Sequence, residues 1–186
     1  MKTTTAFILI SPLLGLLTGC ESLGGKNAAA LAAANAAKVE VELIAPENFT
    51  DVKDALIATA KGQAANAEQV RRYLVESSAR HVPEGQHLKI TVKDIDMAGD
   101  YEPWGRAQDI RLVKGIYPPV IELDFVLSDA SGAVLKEGSR RLHDLAFQMR
   151  LDNRQNDPLR HEKGLIDDWL RSEFGPPQPS KKLALK

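Results

Sequence analysis

The chain has 186 residues, of which 44% are apolar and 26% charged, with a formal net charge of −1 and a single cysteine. That is the length of one domain with appendages, and the apolar share is enough for a core, which excludes wholesale disorder. Near-neutral charge argues against a nucleic-acid partner and against a polybasic grip on anionic lipid, and one cysteine excludes an intrachain disulfide.

Residues 1–19 read as a cleaved leader. Met1-Lys2 is a short positive start, and Ala6 to Leu17 is an apolar run too short to span a bilayer, which takes about 20 helical residues. It closes on Leu17-Thr18-Gly19-Cys20, which resembles the bacterial lipobox: an aliphatic residue, two small residues, then the cysteine that is acylated. Cys20 is therefore the expected lipidation site and the bilayer the expected partner, since two or three acyl chains make a stable anchor. Glu21 stands where an aspartate would favour the inner membrane, so the expected address is the periplasmic face of the outer membrane. Residues 20–38, with Gly24-Gly25 and an alanine-rich run, read as a tether with helix propensity. Residues 175–186 are Pro- and Lys-rich and read as a disordered tail.

The folded domain is expected over residues 39–174. Val39, Val41 and Leu43 alternate with Glu40 and Glu42, the pattern of a half-buried strand. Asp51 to Lys61 reads as an early helical piece. Asn66, with Gln69 at the capping-box place, is expected to start a helix whose face is Val70, Tyr73, Leu74 and Ser77. Leu88, Ile90 and Val92 form a second strand, and Ile121 to Leu127 a third. Ser128 to Gly132 make a hairpin loop, with Gly132 suited to positive φ. Val134 to Leu142 form a fourth strand, with Gly138 as a possible bulge. Asp157 and Pro158 are expected to open a last helix whose buried stripe includes Leu165, Ile166, Trp169, Leu170 and Phe174. The order predicts an α+β fold: a small mixed four-stranded sheet, strand-helix-strand-strand-strand-helix, with helices on one face.

The polar residues that need explaining begin with Asp94, Asp96, Asp100 and Glu102, four acids within nine residues. The spacing approaches a calcium loop and then fails, because Ala98 occupies a ligand place and Gly105 stands where a bidentate glutamate belongs. The register of strand two would bury Asp94 and Asp96, so either a bulge or a cation is required. Arg111 and Arg150 are the candidate partners. The cluster Asp94, Asp96, Asp109, Arg111, Arg150 and Glu162 is read first as structural ion pairing, with a ligand site as the alternative. Arg160 to Lys163, including His161 and Glu162, read as a solvated face. Trp104 and Arg106 lie in a turn-rich segment that is a candidate binding loop. The four histidines are dispersed and lack metal-ligand spacing, Ser139, His143 and Asp144 lack a nucleophile elbow, and there is no phosphate-binding glycine loop, so no metal or cofactor is expected.

The segments Asp94-Ile95-Asp96-Met97-Ala98-Gly99, Asp109-Ile110-Arg111, Pro118-Pro119 and Asp157 to Lys163, running on to Asp167-Asp168-Trp169, resemble an uncharacterised bacterial family, domain of unknown function 3016. The resemblance runs from Val39 to Phe174 and implies no activity. The element order is also similar to that of small periplasmic lipoproteins that assist envelope transport or assembly, a likeness of fold alone. The expectation is thus a non-catalytic envelope lipoprotein with a protein partner. The alternatives are a small-ligand or ion-binding domain at the acidic strand end and, more weakly, a hydrolase of envelope polymers.

Overall fold

A computed structural model describes residues 23–103, 109–151 and 153–178. Cys20 and its lipobox, the loop residues Trp104 and Arg106, and residues 179–186 lie outside the described residues. The elements are α1 (Leu23–Lys38), β1 (Val39–Leu43), α2 (Ala60–Ser78), β2 (His87–Asp96), β3 (Val120–Ser128), β4 (Val134–His143) and α3 (Arg160–Phe174). Short 3-10 turns lie at Pro46–Asn48 and Phe147–Met149. The fold is α+β, with a mixed sheet in the order β1-β2-β3-β4. β1 runs parallel to β2 through the α2 crossover, and the other two pairs are antiparallel.

Strand register explains the core. Val39, Val41 and Leu43 stand beside Leu88, Ile90 and Val92, which stand beside Leu127, Phe125 and Leu123. One face of the sheet is therefore a continuous apolar row, and α2 and α3 cover it with Val70, Leu74, Ile166, Trp169 and Leu170. Burying each large apolar side chain contributes about 1.5–3 kcal/mol. Phe125, Trp169 and Phe174 meet edge to face, with centroids 5.5–5.9 Å apart. The opposite face is polar: Lys89 bridges Glu40 and Glu42, Lys93 meets Asp124, and Arg141 meets Glu122.

Three local expectations are corrected. α2 begins seven residues earlier than its sequence start signal, at Thr59, whose hydroxyl accepts from the Gly62 N–H. Asn66 sits inside the helix and donates instead to the Val52 and Lys53 carbonyls of the preceding loop. The Asp51 to Lys61 piece is not helical before Ala60; Asp51 itself joins the sheet through a parallel bridge to Asp96. Gly138 marks no bulge in β4. It stands opposite Phe125, and its missing Cβ leaves room for the Arg140 guanidinium, which lies over the Phe125 ring, 5.1 Å from its centroid.

Asp157 does not cap α3 directly. Its carboxylate accepts from the Leu159 N–H at 2.9 Å and from Lys163 Nζ at 2.5 Å, shaping the turn from which α3 starts at Arg160. Beyond α3 the chain is fastened back to the end of α2: His81 Nδ1 donates to the Gly175 carbonyl and the Gln178 N–H donates to the Arg80 carbonyl.

Candidate functional site

The register puzzle in β2 is answered by a bulge. Pairing with β3 shifts between Val92 and Asp94. One extra residue reverses which side chains face the helices. Before the shift the even residues Leu88, Ile90 and Val92 are buried; after it, Ile95 and Met97 are. Asp94 and Asp96 are thereby turned to the polar side. Asp94 accepts from the Thr50 N–H and from the Thr50 hydroxyl, both at 2.7 Å.

The partner of Arg111 is Asp51, and neither Asp94 nor Asp96 is. The guanidinium grips Asp51 with both terminal nitrogens, at 2.9 and 3.0 Å, and also donates to the carbonyls of Gly99 and Lys53 at 2.7 and 3.0 Å. The Tyr101 ring lies 5.0 Å from it. Side-chain exposures of 13% for Arg111 and 8% for Asp51 make this a largely desolvated pair. Such a fork ties three segments together: the 51–53 loop, the 97–101 strap and the 109–113 strap. Lys53 adds an ion pair to Asp100 at 3.0 Å.

The other members of the expected cluster are elsewhere. Arg150 pairs with Asp144 and Asp168, each at 2.7 Å, and not with the acids of β2. Asp109 is exposed and takes no part in holding Arg111. Glu162 and His161 are buried, against the expectation of a solvated face. They are buried because α3 turns this first-turn face onto the 97–99 strap and the Phe147 turn. Glu162 Oε1 accepts from the Ala98 N–H at 2.7 Å, while Oε2 has no partner among the described residues. Burial pushes the Glu162 carboxyl above its ordinary value. His161 packs edge-on against Phe147 at 4.9 Å.

Two cavities, each about 430 Å³, flank the Asp51–Arg111 pair. One is bounded by Lys53, Asn66, Tyr101, Arg111, Arg160 and His161. The other is bounded by Thr50, Asp96, Asp100, Tyr117, Arg141 and His143, among others. Asp96 is the carboxylate in that second cavity with no hydrogen bond or ion pair among the described residues. Burial, then the neighbouring charges of Asp51 and Asp94, push it above its ordinary value. Among the described residues no group of three or more His, Cys, Asp or Glu is placed to hold a metal ion.

Sequence reasoning missed Asp51 and Tyr101. Asp51 follows a strand, a 3-10 turn and Phe49-Thr50, a stretch with no periodicity to mark it as buried. Large apolar side chains are exposed at this same end of the sheet: Ile116, Leu145, Met149 and Leu151 are 73%, 73%, 84% and 102% exposed. Gln148 Nε2 donates to the Val113 carbonyl at 2.9 Å, so the two loops that carry them touch.

A family model described as a protein of unknown function (DUF3016) matches residues 37–172. No curated protein matches the chain, and no solved structure does.

Proposed function

We propose a function from geometry for this chain, which belongs to the DUF3016 family of proteins of unknown function: it is a non-catalytic binding module of the cell envelope, tethered by lipid on Cys20 to the periplasmic face of the outer membrane. Its docking end is the end of the sheet formed by the 97–118 and 144–151 loops. The observation that carries this reading is the exposure of Ile116, Leu145, Met149 and Leu151 on touching loops of a domain whose core is already closed. Isolated apolar side chains at a surface are ordinary, but several on one pair of loops mark an interaction surface.

The polar groups beside this end support binding over catalysis. Asp51 and Asp100 are held by Arg111 and Lys53. A hydrolase working through two carboxylates needs both free on one cleft. β1 enters the sheet at the opposite end, where Val39 pairs with Leu88 and Leu88 with Leu127 near the β3–β4 hairpin. A tether joined there leaves the loop end unobstructed by its own attachment point.

The test is a photo-crosslinking amino acid at Met149 in the full chain in living cells. A crosslinked envelope component supports the reading, and recovery of this chain alone counts against it. Mass spectrometry of the mature amino terminus tests the anchor separately: acylated Cys20 is expected, and an intact Met1 or a bare thiol at position 20 overturns that part.

A second reading, a small-ligand or ion-binding domain at the acidic end of β2, has the unpaired Asp96 carboxylate in its favour. Calorimetry against small cationic ligands, repeated with Asp96→Asn, decides it. Equal heats for both proteins would remove this reading.

A further inference from the structure

β4 is an edge strand of ten residues that pairs with β3 and with no other strand in the described residues. An open edge offers a row of unpaired backbone N–H and C=O groups, and proteins usually blunt it with charged side chains. Here Lys136 is drawn away from the edge, whereas Arg140 keeps one nitrogen on it, donating to the Ser139 carbonyl at 2.8 Å. Lys136 and Arg140 lie on the helix-covered side, and each meets Glu173 of α3 at 2.7 Å. The polar side of the strand carries Glu137, Ser139 and Arg141. Ser139 donates to Asp124 and Arg141 meets Glu122, both on β3. Glu137 has no partner among the described residues.

We propose that two copies of this chain pair through β4, antiparallel and centred on Ser139, so that their sheets join into one. A two-fold axis normal to the sheet keeps each face on its own side, so the pairing must centre on a residue. Charge selects which one. Centred on Ser139, Glu137 stands opposite the partner's Arg141, and the contact occurs twice. The guanidinium, 63% exposed on its own chain, then bridges Glu122 and the partner's Glu137. Centred on Glu137, two carboxylates meet. Centred on Gly138, Lys136 faces the partner's Arg140. Centred on Arg140, two guanidiniums meet. Opposite charges across a strand pair stabilise it and like charges destabilise it, so the Ser139 register is the compatible one.

The experiment is disulfide trapping in the full-length chain in cells. Directly opposite residues have Cβ atoms about 4.5–5.5 Å apart, close to the range a disulfide bridges. Ser139→Cys is compared with Ser131→Cys at the hairpin tip and with the wild type, whose only cysteine is Cys20. A covalent dimer several-fold stronger with Ser139→Cys than with either control is expected, and adding Glu137→Lys should remove it. No excess over the controls, or equal trapping at Ser131→Cys, overturns the proposal. Light scattering on the purified wild type and on Glu137→Lys decides independently of whether the cysteine variant folds. Mass approaching two copies as concentration rises, lost in Glu137→Lys, is expected. A wild type of single-copy mass at every concentration overturns the pairing.

Discussion

Removing Arg111 would leave the buried Asp51 carboxylate with only the Lys53 N–H at 3.0 Å and the Lys53 ammonium at 3.9 Å. The carboxylate is 6% exposed as a residue, and its two oxygens are both engaged by the guanidinium. Breaking a buried pair from one side costs about 3–5 kcal/mol, and the Lys53 contacts that remain place the expected loss at the lower end of that range. Arg111→Ala should lower the urea midpoint accordingly. Arg111→Lys should fall between it and the wild type, because an ammonium lacks the fork that holds Asp51 and two carbonyls together. A midpoint for Arg111→Ala equal to the wild type would show that the pair contributes nothing to stability. The sequence marks Asp94 and Asp96 as needing a bulge or a cation and offers Arg111 and Arg150 as partners. Those two acids are near in sequence to one another, whereas the pairing of Arg111 to Asp51 spans sixty positions and exists only because the 51–53 loop resumes the sheet beside Asp96. Glu162 carries a second residue-scale consequence. Its folded carboxyl is raised above the ordinary 4.5 by burial, so the folded state binds its proton more tightly than the unfolded chain does. The stabilisation is complete below about pH 4.5 and is lost as pH rises through the higher folded value. Glu162→Gln holds the neutral form and its acceptor for the Ala98 N–H at every pH. Its unfolding free energy should therefore fall less between pH 4.5 and 8 than that of the wild type, and parallel curves for the two would exclude Glu162 as the titrating group.

At the scale of elements, the strands were legible because alternation of Val, Leu and Ile with charged residues states which side is buried. The alternation of β2 breaks after Val92, and the break itself predicted a bulge or a cation; the bulge occurred. The start of α2 was less legible. Asn66 and Gln69 have capping chemistry, yet the helix is opened by Thr59. Asp54 orients Thr59 by accepting from its N–H at 3.0 Å and from its hydroxyl at 2.8 Å, a loop contact that no helical period announces. The strap from Met97 to Tyr101 carries no helical or strand period, and its geometry depends on one glycine. Gly99 has φ of 80°, its carbonyl accepts from Arg111, and a Cβ there would stand 2.7 Å from the Leu112 carbonyl oxygen. A left-handed conformation costs a non-glycine residue about 1–2 kcal/mol before any clash. Gly99→Ala should therefore destabilise by at least ~1–2 kcal/mol in a denaturant titration, whereas Gly132→Ala, with φ of 87° and open space around it, should cost only the conformational part. Equal losses for the two would mean that the strap moves aside freely.

For the whole molecule, the two ends of the sheet make separable contributions. The helix-covered face supplies the core, the Asp51–Arg111 fork closes the loop end, and the exposed apolar side chains beyond that fork do little for folding. Met149 and Leu151 are 84% and 102% exposed, so replacing them leaves no cavity and strands no partner. Surface changes of this kind usually alter stability by less than about 0.5 kcal/mol. Met149→Glu combined with Leu151→Glu should therefore keep the wild-type melting temperature while removing the envelope crosslink formed by a photo-crosslinking amino acid placed instead at Ile116. Cys20→Ala should do something different, releasing the chain from the membrane fraction with its melting temperature unchanged. The combination discriminates between folding, anchoring and docking, because each variant is expected to fail in one assay alone. A fall in melting temperature of the Met149 and Leu151 variant comparable to that of Arg111→Ala would place those loops in the stability of the domain, and the docking end would have to be sought elsewhere.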